Sequence, residues 1–232
     1  VRYEMDVVVL GAGVSGISAA IAAARSGART LLVERQGTVG GLVTAGLVTP
    51  FSMQMLLPDG QQVTHGLVSE LLDRLSAEDG TISNWRDWKI PKIPVEPEVF
   101  KLVTFEMLQE AGVKILLNTS FIETRVENRR IRYVLLHNKG GFCAAGAKIF
   151  IDTTGEADVA REAGVPTTLN ADVDPSIVGV VSEAMRNRGW VKRTEKTSSL
   201  QFLLGNVDLD RTHDFIMEHP DVYATTKRGE LV

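Results

Sequence analysis

The chain has 232 residues, 44% of them hydrophobic and 23% charged, with 25 Lys and Arg against 29 Asp and Glu. That length supplies a real core for one domain, or for one domain and part of a second. A formal net charge of −4 gives no basic excess for nucleic acid, and a single cysteine excludes an internal disulfide framework, a CxxC redox pair and a Cys-rich zinc site.

Val7–Ala24 carries no charge, which is the lower edge of a membrane-spanning run, and Arg2 with Ala22–Ala24 imitates a signal peptide. Glu4 and Asp6 stand where a signal peptide is positive, and Gly11, Gly13 and Gly16 punctuate the run. A strand at Glu4–Leu10, a helix at Val14–Ser26 capped by Gly27 and a strand at Arg29–Glu34 are therefore expected. Residues 36–62, rich in Gly, Thr and Pro, read as loop. Val68, Leu71, Leu72 and Leu75 mark one face of a helix ending near Asp79-Gly80, and Trp85–Pro94 is irregular. Pro97 opens a helix to Ala111 with Phe100, Val103 and Met107 inward and Gly112 as cap. Val113–Asn118 is a short apolar strand. Phe121–Glu127, Ile131–His137 and Gly141–Ala145, separated by short turns, form an antiparallel meander. Lys148–Asp152 returns to a buried-strand pattern, and a short helix follows from Ala157 to Gly164. Beyond Val165 the pattern weakens: Arg186–Lys196 reads as a solvated basic face, Ser199–Leu204 as a strand and Asp210–Glu218 as a helix.

Gly11-Ala-Gly13-Val-Ser-Gly16 is GxGxxG placed between a strand and a helix, with an acid, Glu34, closing the second strand. Gly11 permits the tight turn, and Gly13 lets backbone approach a pyrophosphate at the helix N-terminus. Gly16 lets helix and strand pack closely. A carboxylate at Glu34 accepts hydrogen bonds from both adenosine ribose hydroxyls and repels a 2′-phosphate, so an NADP site is disfavoured. This fingerprint alone leaves NAD and FAD open. Gly40-Gly41, opening Leu42–Leu47, lets the chain pass beside a longer ligand whose second phosphate and ribityl chain continue past the helix end.

Asp6–Leu10 with Gly11–Gly16, Glu34-Arg35, Gly40-Gly41 and Ile149–Asp158 together resemble the FAD-dependent oxidoreductases, the flavoproteins with glutathione-reductase-type FAD domains. The resemblance covers roughly residues 4–166. It implies an α/β fold: a Rossmann-like parallel sheet with helices on both faces and an antiparallel β-meander as crossover. Residues 1–164 would form the FAD-binding domain and 165–232 the start of an incomplete substrate or cap domain. It places Gly11, Gly13, Val14, Ser15 and Gly16 along the FAD pyrophosphate, Glu34 on the adenosine ribose and Arg35 beside the adenine. Gly40, Gly41 and Leu42 would pass the second phosphate toward the flavin. Phe121 or Ile122 would offer backbone to the adenine, and Thr154 and Gly155 would close over the dinucleotide, with Asp158 helping to hold that turn. The implied activity is hydride transfer from a small-molecule substrate to flavin N5, followed by reoxidation by an electron acceptor, in the cytoplasm and without nucleic acid, membrane or metal. Relatives of this kind are longer and return to the FAD domain near their C-terminus. No such segment stands between Val165 and Val232, so a fragment, or a second polypeptide supplying the remainder, is expected. An NAD-binding dehydrogenase and a non-catalytic or split flavin-binding module are the alternatives.

No catalytic side chain is named. Cys143 reads as a small buried strand residue, and His65, His137, His213 and His219 show no metal spacing. Of these His65 alone merits testing as an acid or base. Trp85 and Trp88 read as loop anchors, and the acids of Asp152–Asp158 as parts of a turn rather than a metal site.

Overall fold

The computed structural model describes residues 3–51, 62–88, 92–167, 205 and 207–219. The chain divides into two compact units, Val1–Ser199 and Leu200–Val232. The expected strand at Ser199–Leu204 and basic segment Arg186–Lys196 lie outside the described residues.

In the first unit, β1 (Tyr3–Leu10), α1 (Val14–Arg25) and β2 (Thr30–Val33) form the expected βαβ start. The Ser26 N–H closes α1 on the carbonyls of Ala22 and Ala23, and Gly27, whose N–H donates to the Ala24 carbonyl, follows at φ +89°, a left-handed exit that favours glycine. A two-residue ribbon pairs β3 (Pro50–Phe51) with β4 (Ile93–Pro94). Between them lies α2 (Leu67–Ala77). Next comes α3 (Pro97–Glu110), whose N-cap Glu96 accepts the Glu98 N–H. β5 (Lys114–Leu116), β6 (Ser120–Glu127), β7 (Arg130–Asn138), β8 (Gly141–Asp152) and α4 (Asp158–Glu162) complete it.

One six-stranded sheet runs in the order β5-β2-β1-β8-β7-β6. The pairs β5–β2, β2–β1 and β1–β8 are parallel, and β8–β7 and β7–β6 are antiparallel. The β6–β7 hairpin turns at Asn128-Arg129, both at positive φ, as a tight two-residue turn matching strand twist demands.

The two strands read at Gly141–Ala145 and Lys148–Asp152 are one. β8 runs unbroken for 12 residues, pairing antiparallel with β7 over its first half and parallel with β1 over nearly all of the rest. Gly146 does not break it: a Cβ there would stand 2.9 Å from the Glu4 carboxylate, so glycine serves the close approach of a neighbouring strand's side chain.

β1 is buried on both faces at Val7–Leu10, as a central parallel strand should be. Val7 and Val9 join one core with Ile17 and Ile21 of α1, Leu72 and Leu75 of α2, and Phe100, Val103 and Met107 of α3. Each such fully buried side chain contributes about 1.5–3 kcal/mol over its exposed state. Val8 and Leu10 join a second, smaller core with Leu31, Val33, Val134, Leu136, Ala145 and Val159. Helices stand on both faces but unequally: α1, α2 and α3 share one core, and on the other short α4, through Val159, joins residues of the meander. Trp85 is buried and donates to Asp73 of α2, and Trp88 donates to the Lys92 carbonyl, so both tryptophans anchor their loop.

In the second unit, α5 (Leu209–Glu218) starts at Asp208, whose carboxylate accepts the Arg211 N–H at 3.0 Å. No helix among the described residues is long and apolar enough to cross a membrane.

Candidate functional site: a dinucleotide cradle at the ends of β1, β2 and β8

The three glycines of the fingerprint are not glycine for one reason. Gly11 lies at φ +99°, and a Cβ there would stand 2.7 Å from the Thr153 carbonyl oxygen. A Cβ on Gly16 would meet the Gly11 carbonyl oxygen at 1.8 Å, an overlap no rotamer relieves. Gly13 differs: its φ is −70°, open to any residue, and nothing lies within 4 Å of where its Cβ would be. The protein's own packing therefore explains Gly11 and Gly16 and leaves Gly13 unexplained. An occupant pressed against the backbone there would explain it.

Gly13 is the N-cap of α1 and offers no side chain to the first turn, so the helix start, with Val14 and exposed Ser15, presents amide groups and the positive end of the helix dipole. Such a helix start favours a negative charge.

Glu34, 8% exposed, stands beside this turn. Its Oε2 accepts the Ala12 N–H at 2.7 Å and its Oε1 the Gln36 N–H at 2.8 Å. Each oxygen keeps a second lone pair, which is the capacity a pair of ribose hydroxyls requires. Arg35 is exposed next to it. The Thr119 N–H donates to the Glu34 carbonyl at 2.9 Å, bringing the start of β6 to the acid. Phe121 is half-buried opposite Leu136, and Ile122, 46% exposed, sits in a bulge between Phe121 and Glu123.

Gly40-Gly41 meets the fingerprint directly. The Gly40 N–H donates to the Ala12 carbonyl at 2.8 Å, and Gly40 pairs with Gly13 in a parallel bridge. A Cβ on Gly41 would approach the Gly13 Cα to 3.0 Å. Buried Val43 and Thr44 anchor the loop, Thr44 donating to the Val39 carbonyl, while Leu42 is left 73% exposed.

The turn after β8 forms the third wall. Asp152 Oδ1 accepts the Thr154 N–H at 2.9 Å and its hydroxyl at 2.7 Å, and Oδ2 accepts the Ala160 N–H at 2.8 Å. Asp158, expected to help here, contributes its N–H to the Thr154 hydroxyl, while its carboxylate pairs with Arg161. The carboxylate that holds the turn is Asp152. Gly155 is exposed, with open space where a Cβ would be. Thr153, absent from the sequence expectations, lies against Gly11 and Gly16. Its partners are some 140 residues away in the chain, so no local pattern reveals it.

Cys143 is half-buried in β8, His65 is exposed, and His137 packs on Phe142 in the meander. Among the described residues no group of three or more His, Cys, Asp and Glu side chains converges as a metal site would require.

A parallel sheet whose βαβ start carries a glycine cradle, a buried acid at the second strand and a second glycine pair against the first defines a dinucleotide-binding domain. The residues fit FAD, since the open face at Gly13, the acid at Glu34 and the Gly40-Gly41 passage supply sites for pyrophosphate, ribose and onward chain. Residues 6–229 match the FAD dependent oxidoreductase family, and the chain belongs to it. It is 27% identical over 179 residues to a digeranylgeranylglycerophospholipid reductase of Methanocella arvoryzae, covering 72% of this chain and 44% of that protein. It is 25% identical over 171 residues to the protein of that name from Methanosphaerula palustris, covering 72% and 43%. The chain thus spans less than half the length of these curated relatives. In structure it is similar to L-proline dehydrogenase from P. horikoshii, with TM-score 0.51, 16% identity and coverage of 73% of this chain and 58% of that one. It is also similar to a myxobacterial chondrochloren halogenase, described as a variant of FAD-dependent halogenases, with TM-score 0.50, 20% identity and coverage of 69% and 40%. At such identities these likenesses establish the fold alone.

Proposed function

We propose that this chain is the cofactor-binding part of an enzyme that moves hydride from a small-molecule substrate to flavin N5, with a separate electron acceptor closing the cycle. Residues 1–164 are its FAD-binding domain, and 165–232 begin its substrate or cap domain. The observation that carries the reading is the backbone contact of Gly40-Gly41 with Gly13, beside a face of Gly13 that no protein atom occupies. A plain NAD domain gives that second glycine pair no task.

In this reading Gly11, Gly13, Val14, Ser15 and Gly16 hold the pyrophosphate by amide groups and the helix dipole. Glu34 accepts the ribose hydroxyls with its free lone pairs, and Arg35 and the backbone of Phe121 or Ile122 flank the adenine. Gly40, Gly41 and exposed Leu42 line the way toward the flavin, and Thr154 and Gly155 close the opposite side. FAD, when bound, supplies the two-electron chemistry; the chain orients it and excludes water. The single cysteine suits a cytoplasmic setting. The two archaeal relatives are named digeranylgeranylglycerophospholipid reductases, which supports flavin redox chemistry and fixes neither this chain's substrate nor the direction of its hydride transfer.

The test is the visible spectrum of the purified protein, then denaturation and chromatography of what is released. A flavin spectrum with release of FAD is expected. A folded protein that is colourless, refuses added FAD and saturates with NADH would replace this reading with an NAD-binding one.

A further inference from the structure

We propose that Thr153 is a positioning residue for the dinucleotide cradle, its hydroxyl setting the Gly11–Ala12 peptide so that FAD affinity depends on it. The inference rests on the FAD reading above and adds to it a residue outside the glycine fingerprint.

Thr153 Oγ1 donates toward the Gly11 carbonyl at 2.8 Å and lies equally near the Leu10 carbonyl. The Leu10 carbonyl already accepts the Thr153 N–H at 2.9 Å, so the hydroxyl's distinct contribution is at Gly11. The same peptide unit carries the Ala12 N–H, which donates to Glu34 Oε2 at 2.7 Å. A peptide is a rigid plane. Thr153 thus grips its oxygen edge and Glu34 its N–H edge, and rotating the plane to suit another loop conformation breaks both bonds. The next residue is Gly13, the N-cap whose open face is the proposed anion site, so the angle of this plane sets where that face points.

Two further observations show that Thr153 is built into the loop. A Cβ on Gly11 would stand 2.7 Å from its carbonyl oxygen, and a Cβ on Gly16 would stand 2.7 Å from its Oγ1. Two of the three fingerprint glycines therefore make room for Thr153. Its own N–H is held by the Leu10 carbonyl, and the turn that follows it is held by the three hydrogen bonds that the Asp152 carboxylate accepts from Thr154 and Ala160. The cradle is set before any ligand arrives, which is the condition under which ordering costs are not charged against binding.

The test compares wild type with Thr153→Val, Thr153→Ala and Thr153→Ser in the whole polypeptide freed of flavin. Two quantities are read: the dissociation constant for FAD by flavin fluorescence, and hydrogen exchange at the Ala12 amide, with the Leu108 amide in α3 as control. Loss of one hydrogen bond predicts FAD binding weaker by roughly three- to tenfold in Val and Ala. Ala12 exchange should quicken by a similar factor with Leu108 unchanged, and Ser should restore both. Should Val distort the turn, Ala removes the same hydroxyl without adding bulk. Wild-type affinity in a hydroxyl-less variant, failure of Ser to restore, or equal acceleration at Ala12 and Leu108 would each overturn the proposal. Wild type that binds no FAD would instead remove the cofactor reading, and the exchange comparison would still decide whether Thr153 clamps the peptide.

Discussion

The cradle and the helical layer beside it are held by opposite means. Around Gly11–Gly16 the contacts are buried or half-buried and run mostly between side chains and backbone: Glu34 to Ala12 and Gln36, Thr153 to Gly11, Gly40 to Ala12. Across α1, α2 and α3 the polar ties are ion pairs near the surface. Arg25 reaches Glu70 at 2.6 and 2.8 Å, and Arg74 bridges Glu70 at 2.9 Å and Glu110 at 2.7 and 2.8 Å. Directional bonds between partly buried side chains and backbone fix a shape, whereas exposed ion pairs add modest stability that salt and pH can tune. The molecule places the first around the glycine turn proposed to hold the cofactor, and the second where helices need only stay together over an apolar core.

The contrast can be broken hardest at Gly16. Gly16→Ala drives a methyl to 1.8 Å from the Gly11 carbonyl oxygen, so the loop must move or the helix lift. A loss of about 3 kcal/mol or more in urea denaturation is expected, together with loss of FAD binding. Gly13→Ala sharpens the comparison by separating the two effects. Its φ is permissive and its Cβ meets nothing, so stability should fall by less than about 1 kcal/mol, an N-cap effect. FAD affinity should nonetheless drop by about tenfold or more, since the methyl occupies the pyrophosphate face. Equal losses in stability at the two positions would refute the assignment of Gly13 to a ligand and Gly16 to packing.

The smallest effects are expected in the ion-pair layer. Arg25, and then Arg74, hold the Glu70 carboxyl below its ordinary range, and Arg74 does the same for Glu110. Arg29, then Lys148, hold Asp6 well below it, tying β1 to the residue preceding β2 and to β8. Carboxyl groups depressed on folding contribute stability above their unfolded range and lose it as pH falls through that range and below. Stability should therefore decline from pH 6 to pH 3, and the Arg25→Met variant should show a shallower decline. At neutral pH that variant should cost less than about 1 kcal/mol, shrinking further in 1 M salt, with FAD affinity unchanged.

Much of this was legible in the sequence where the signal is local. Hydrophobic periodicity and the glycine punctuation located β1, α1, β2, α3 and the first two meander strands to within a residue or two. The spacing from Gly11 to Glu34 and Gly40-Gly41 marked residues that the fold brings into contact. What escaped depends on distant partners. β8 reads in the sequence as two strands, Gly141–Ala145 and Lys148–Asp152, and the glycine between them, Gly146, answers to Glu4 on another strand. Asp152 and Thr153 looked like ordinary turn residues because what they hold is either the following helix or a loop far back in the chain. The second helical face shrinks to five-residue α4, because a meander with alternating inward residues, Val134 and Leu136 among them, shares the core of Val8 and Leu10.

The dual pairing of β8 also bears on how the chain comes into being. β1 meets β2 almost as soon as both are synthesised, but its other edge pairs with a strand whose matching residues, from Ala145 onward, come about 140 residues later. Until then that edge is an open template for non-native strands. The meander hairpins close over a few residues each and cost little to form, so β8 can reach β1 already extended and aligned by β7. The same strand that ends in the Asp152 turn therefore also ends the most aggregation-exposed interval of biosynthesis, and the cradle can take shape only once that interval has closed.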